Sequence, residues 1–400
     1  MTEPSLRRVL TLPWLVFYRV GVTVGAGIFA LIGQVVGLAG DHAPLAFLVA
    51  GLVAAFTGFS YAALASAYPR AAGEAFFVGM GMGSFAGRIV GLGVVAVAIT
   101  SSAVIALAFA GYVWTITGLP ESASVVGVLA GLGLIAWIGV RESVAVAAVI
   151  TVLEVGTLLA VVAVGLPMIG EADNLDKVLS LPASGALWSA VFAGAFLAFF
   201  AFIGFEDIEN MAEETLDPHR AVPMAIILTL VISVAIYVLV ATVATAFPDR
   251  DALVESKAPL ALMFESAAGT SGAPVAVMAA IAMINGILVQ IVMASRVLYG
   301  MSRERMIPAA IGVLDAKRQT PLRAIALVTV LAGLFALFVP LLRLAELTSL
   351  IMLLVFATVN LSLFLIGRRH GALPTLRRWR YLGLAGSLVS LALAGAEVLR

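Results

Sequence analysis

The 400-residue chain contains no cysteine and only three histidines, His42, His219 and His370. Disulfides, thiol nucleophiles and zinc-thiolate sites are therefore excluded, and three scattered imidazoles cannot build a conventional metal cage. No metal and no cofactor is expected. Charge is equally scarce: 23 basic and 23 acidic residues cancel to a formal net charge of zero. Without a basic face there is nothing to hold nucleic acid, so no such partner is expected. The motifs HExxH and GxSxG are absent too, which removes the metal and nucleophile sites that a membrane-embedded enzyme would need.

What the chain has in abundance is apolar surface. Hydrophobic residues make up 62% of it and the mean hydropathy is +1.13, far from the roughly half-apolar composition of soluble domains. A polytopic membrane protein with lipid around its outer face is the expectation. Crossing a ~30 Å hydrocarbon core takes about 20 apolar residues in a helix. Eleven such runs are predicted, near 10–39, 43–66, 86–118, 123–140, 143–169, 184–211, 222–247, 273–300, 322–341, 345–367 and 379–398. The first follows Arg7 and Arg8, lacks a small-residue cleavage site and is too long for a signal-peptide core, so it reads as a retained span.

Lys and Arg stay on the cytoplasmic side of a membrane. With the N-terminus inside, all bases but Lys177, Arg250, Lys257, Arg343 and Arg400 fall on that side. The prediction is a multi-pass protein of the cell (inner) membrane with a cytoplasmic N-terminus and an external C-terminus. The longest external connections, 170–183 and 248–272, are too short and plain to be domains, so 1–400 is expected to form one transmembrane domain.

Two runs, five spans apart, contain what a lipid-facing helix should avoid. In GVTVGAGIF, Gly21, Gly25 and Gly27 surround Ala26 in the middle of the first run. Each glycine lowers helix propensity by about 1 kcal/mol and bares backbone amides. In the sixth run, Gly204 precedes Glu206, Asp207 and Glu209 after some twenty apolar residues. A broken helix offers free N–H groups and about half a positive charge to a carboxylate, while the carbonyls before the break suit an ammonium group or a cation. Paired breaks in two five-helix halves mark the binding site of secondary transporters, and a zwitterionic amino acid matches both polarities. Blander readings stand beside these: the glycines as a stripe for close helix packing, and the acids as the cytoplasmic end of a helix.

These residues resemble the amino acid-polyamine-organocation (APC) permeases. Gly25-Ala26-Gly27-Ile28-Phe29 is similar to that family's first-helix motif, and FIGFEDIENMAEETLDPHRAVP, from Phe202 to Pro223, to its sixth-helix signature. Tyr61, Leu64, Pro69, Gly73, Phe76 and Phe77 resemble the segment between the second and third helices, and RVLYGMSRERMIP with Thr320-Pro321 the end of the eighth. The resemblance implies an all-α membrane protein with a LeuT-like 5+5 inverted-repeat core, discontinuous helices 1 and 6, and alternating access. The first repeat would run from 10–39 to 143–169, the second from 184–211 to 345–367, with 379–398 as an extra helix. Family members commonly have twelve spans; the one missing here would be the last.

By the same resemblance, the substrate carboxylate rests on the amides of Ala26, Gly27 and Ile28 beside Gly25. The amino group meets carbonyls near Thr23 and near Phe200, Ala201 and Ile203, and Phe202 lies over the substrate as a gate; ordinary aromatic packing is the alternative for Phe202. Ser101, with Thr100 and Ser102, and Gln290, with Asn285, are polar enough to line the pocket or merely to join helices. Some proton-coupled relatives carry a lysine in the fifth helix where this chain has Glu154. A lone carboxylate halfway along an apolar span costs several kcal/mol if charged and unpaired, so it should be protonated, paired or facing water. Glu154, with Glu206, is the candidate ion-coupling group for H+ or Na+; a structural acid capped by Thr151 or Thr157 is the alternative.

The functional expectation is cation-coupled, with the proton as the cation, uptake of a neutral amino acid, because few charges are available to hold a charged side chain. Polyamine or cationic amino acid transport, or exchange, on the same fold is the alternative, since Glu206 could pair with a cation. A channel is disfavoured because polar residues gather at the breaks and do not form a continuous lining.

Overall fold

The computed structural model describes residues 10–68, 73–139, 144–171, 176, 178, 180–206, 208 and 215–400. Arg7, Arg8, Pro69, Arg70, Arg141, Lys177, Asp207 and Glu209, to which the sequence gives topological or site roles, lie outside the described residues.

Among the described residues the chain is all helical, with no strand beyond an isolated bridge between Leu10 and Thr215. The first run is split into α1 (Leu12–Val24) and α2 (Ala26–Ala39). α3 (Ala43–Ala67), α4 (Gly73–Met82), α5 (Ser84–Thr117), α6 (Glu121–Ile138) and α7 (Val144–Glu171) follow. α8 (Gly185–Ala198) passes into a 3-10 turn, Phe199–Phe202. Then come α9 (Pro218–Thr245), the short α10 (Arg250–Glu255) and α11 (Pro259–Ala268), α12 (Ala273–Arg303), α13 (Leu322–Phe338), α14 (Leu341–Gly367) and α15 (Pro374–Val398). Proline stands in the first turn of α3, α9, α11, α12 and α15, where a missing N–H leaves no helical bond unmade.

Nine stretches of the described residues are long and apolar enough to cross a membrane. Eleven runs were expected, and the difference has a local cause. Ala26–Ala67 forms one 42-residue stretch, turned at Gly40–His42, so that α2 and α3 count together. The break at Gly25 leaves α1 only 13 residues, and α13 stops at 17.

The split helix lies at the centre. α1 packs on α7 and α9, α2 on α8, and α12 against α5, while α15 covers α14, α3 and α8. Polar groups pair between helices: Asn360 Nδ2 donates to Thr57 Oγ1 at 2.9 Å, and Tyr61 donates to the buried Glu74 at 3.1 Å. The connection 248–272 is less plain than its sequence suggests. Asp249 caps α10 by accepting the Ala252 N–H at 2.9 Å, Arg250 pairs with Asp41, and Gln34 Nε2 donates to the Val254 carbonyl at 2.8 Å. The segment is thereby tied down over the end of α2.

Candidate substrate site between two helix breaks

At the first break Gly25 has φ −57° and ψ −118°, outside the helical region, although its N–H still reaches the Gly21 carbonyl at 3.1 Å. α2 then starts without any side-chain cap. The amides of its first turn have no partner within the helix, and Ala26, Gly27 and Ile28 are buried. A positive helix end is thus held away from bulk solvent, an arrangement that favours a bound anion.

The second break starts where α8 tightens into Phe199–Phe202, after which Ile203 is extended and Gly204 takes φ +119°, a conformation open essentially to glycine. Glu206 is buried, and its Oε2 accepts the Gly204 N–H at 2.8 Å. That carboxylate supports the break it follows. The two breaks touch: a β-carbon added to Gly27 would lie 2.6 Å from the Ala201 Cα and 3.3 Å from its backbone N. Gly21 likewise faces the Thr151 side chain. Both sequence readings of the glycines therefore hold, at different positions: Gly25 interrupts the helix, while Gly21 and Gly27 permit close approach.

Between the breaks lies a cavity of about 30 Å³, enough for the centres of roughly two waters. Nine of the predicted binding residues line it: Thr23, Gly25, Ala26, Gly27, Ser101, Phe200, Ala201, Ile203 and Gln290. Ile28 and Phe202 are buried but not among the lining residues. The Phe202 ring packs edge-on against Tyr237, centroids 5.0 Å apart. Thr100 and Ser102 turn away from the cavity; Thr348 donates to Thr100 Oγ1 at 2.7 Å, and Ser102 donates to the Ala98 carbonyl at 2.7 Å.

Sequence reasoning missed much of the α12 wall. Ala282, Asn285, Gly286, Val289 and Gln290 all face the cavity, and only the two amides were singled out. Their spacing of i, i+3, i+4, i+7 and i+8 is a one-face helical stripe, which was available as a signal.

Tyr237 was also missed. From α9 its buried hydroxyl lies 2.6 Å from the Thr23 carbonyl and 2.7 Å from the Ala201 carbonyl, linking the two breaks. A phenol carries one proton, so it cannot fully serve both acceptors at once.

Glu154 is 1% exposed, and neither carboxylate oxygen has a hydrogen-bond partner among the described residues. Thr157 does not cap it, since its hydroxyl donates to the Leu153 carbonyl at 2.7 Å. The carboxylate instead faces the first break: a β-carbon on Gly25 would sit 3.7 Å from Oε1. Glu154 does not line the cavity itself.

Residues 9–397 match the model of the family described as amino acid permease. An uncharacterized transporter of Mycobacterium tuberculosis is 32% identical over 398 residues, covering 98% of this chain and 87% of the relative. The branched-chain amino acid permease BcaP of Bacillus subtilis is 25% identical, with 93% and 83% covered. Cationic amino acid transporter 2 of Arabidopsis thaliana is 28% identical, with 90% of this chain and 60% of the relative covered. A match that spans almost the whole chain, on a multi-pass helical protein, identifies a transporter and not an enzyme: the chain belongs to the amino acid permeases of the APC family.

Proposed function

We propose that this permease is a secondary active transporter that carries a neutral amino acid by alternating access through the cavity between the two breaks. The observation that carries the proposal is the meeting of an uncapped, buried helix start at Ala26 with two carbonyls, Thr23 and Ala201, that share one phenol proton. The substrate carboxylate lies on the amides of Ala26, Gly27 and Ile28. Its ammonium brings the donors that Tyr237 alone cannot supply to both carbonyls. Among the described residues no acidic side chain lines the cavity, and Glu206 is engaged with Gly204, which favours a neutral side chain over a cationic one. The cationic reading draws its support from the Arabidopsis relative. Because the cavity admits only small molecules in this conformation, binding requires its walls to move apart.

Counterflow in proteoliposomes, loaded with a panel of neutral amino acids, cationic amino acids and polyamines, tests the reading. Neutral amino acids are expected to exchange; exchange confined to polyamines or cationic substrates would overturn it. The cavity also yields a finer prediction. A β-carbon on Gly286 would meet Ile105 Cδ1 at 3.5 Å and Ala26 Cβ at 3.6 Å, ordinary contact distances. Gly286→Ala should therefore fold normally while narrowing the site, shifting preference toward smaller amino acids by roughly tenfold, the worth of one or two methylene contacts. Competition of glycine or alanine against leucine for transport gives the ratio, and an unchanged ratio would place the side-chain pocket elsewhere.

The proposed topology has eleven spans, the break-containing first span formed by α1 and α2, in the cell (inner) membrane with the N-terminus inside and the C-terminus outside. Its core is the 5+5 inverted repeat of the LeuT-like architecture, from 10–39 to 143–169 and from 184–211 to 345–367, with 379–398 beyond it. Since the chain has no native cysteine, a single cysteine introduced beside Arg400 reports its side cleanly. Labelling by an impermeant maleimide from outside the cell is expected, and labelling from the cytoplasm alone would reverse the orientation.

A further inference from the structure

A second cavity, of about 350 Å³, lies at one end of the molecule between α6, α12, α13 and the connection before α13. It is far roomier than the central cavity, and among the described residues its polar lining consists of Ser295, Arg296, Tyr299, Gln319 and Thr320, with no acid. Two of these hydroxyls are already engaged. Ser295 donates to the Val292 carbonyl at 2.8 Å, and Thr320 to the Trp137 carbonyl at 2.8 Å. The Arg296 guanidinium enters no ion pair among the described residues; at this mouth Arg296 and Gln319 are exposed and the Tyr299 side chain is half-buried. Three donors, one of them cationic, thus face a cavity with no acid among its described lining residues.

The connecting loop is built to hold Gln319 at that mouth. Gln319 has φ +60°, a left-handed conformation that disfavours a residue with a β-carbon. The loop maintains it through the Gln319 N–H to the Asp315 carbonyl, 2.9 Å, and the Asp315 N–H to the Thr320 carbonyl, 2.8 Å. The Asp315 carboxylate accepts the N–H groups of Arg318, at 2.8 Å, and Lys317, at 3.0 Å. Those bonds hold its carboxyl below the usual carboxylate range, so the nearest acid of the loop is turned into its own backbone. Arg318 lies 3.8 Å over the Trp137 ring and fastens the loop to the end of α6. Strain retained by surrounding bonds is a mark of ligand clamps.

Beside this polar mouth stand exposed apolar side chains. Ile138, Val313 and Leu322, each next in sequence to a lining residue, are exposed large hydrophobics. A ligand that fits carries an anionic head with several acceptor oxygens and apolar tails. We propose that this cavity binds the phosphate of an anionic phospholipid, with Arg296, Tyr299 and Gln319 as its donors and the acyl chains along α6 and α13. In the orientation proposed above the lipid belongs to the cytoplasmic leaflet. α12 runs from this cavity, at Val292 and Ser295, to the central one, at Val289 and Gln290. The lipid therefore braces a helix that walls the transport site. The proposal does not rest on the transport reading, and its test reads binding alone.

Native mass spectrometry of the purified protein, titrated with phosphatidylglycerol, phosphatidylcholine or glycerol 3-phosphate, is the test. One phosphatidylglycerol per chain is expected to persist where phosphatidylcholine and glycerol 3-phosphate do not. Arg296→Gln should weaken its retention roughly tenfold, the loss of one charge-assisted hydrogen bond. Gln319→Gly removes the amide donor while suiting the backbone, so retention should fall with thermal stability kept. Arg377→Gln, an exposed base of α15 outside the lining, should change nothing. Equal retention of phosphatidylcholine, or parental retention in both Arg296→Gln and Gln319→Gly, would overturn the proposal. Binding of glycerol 3-phosphate as strong as that of phosphatidylglycerol would assign the site to a soluble phosphate and overturn the lipid.

Discussion

Gly27→Val is expected to abolish amino acid binding. Two effects add at this position. A β-carbon alone would stand 2.6 Å from the Ala201 Cα and 3.0 Å from its Cβ, a clash with backbone that no side-chain rotation relieves. The valine methyls would also cover the amides at the start of α2. Loss of one charge-assisted hydrogen bond of about 1.5–3 kcal/mol weakens binding roughly ten- to hundredfold, and separating the breaks takes the carbonyls of Ala201 and Thr23 out of register as well. Overpacking of this kind also costs about 1–3 kcal/mol of stability. The variant should therefore insert and fold but melt earlier than the parent. Calorimetric titration of the purified protein beside a thermal melt separates the two effects. Parental affinity in Gly27→Val would remove the substrate from this cavity.

Glu154→Gln should separate exchange from accumulation. The carboxylate is buried without a hydrogen-bond partner among the described residues and faces the first break. A charged, unpaired carboxylate in such surroundings is costly, so on the alternating-access reading proposed above the group carries a proton or a cation and exchanges it as the break opens to one side. Glutamine keeps the volume and much of the hydrogen bonding but can carry neither proton nor charge. Under proton coupling the variant still exchanges substrate across the membrane, yet it fails to concentrate substrate when a pH gradient is imposed. For one proton per substrate, one pH unit supports about tenfold accumulation in the parent, against a ratio near unity in the variant. Accumulation at the parental level would eliminate Glu154 as the carrier. A sodium requirement in the parent would make it a cation ligand instead.

Both helix breaks were legible because their signals are local. Glycines in the middle of an apolar run and acids after one are visible without any fold, and both breaks formed where those residues stand. The lone carboxylate at Glu154 was equally visible. Its neighbour was not: that it faces Gly25 depends on how α7 is rotated against α1. The same rotation decides why Ser101 lines the cavity while Thr100 and Ser102 bond elsewhere, since successive helix residues point about 100° apart. Tyr237 had no local signal at all, because a tyrosine in an apolar helix looks like core until its acceptors are known.

The sequence alone determined that the chain lives in a membrane as helices, since 62% hydrophobic composition leaves no other solvent for it and a backbone in lipid must satisfy its own hydrogen bonds. It also determined where the helices break, because helix propensity is set residue by residue. Only the tertiary structure decided what the breaks face. The contact between Gly27 and Ala201 and the bond from Tyr237 to a carbonyl 214 residues away join segments that no local rule connects. They exist because close packing of whole helices brings those particular faces together.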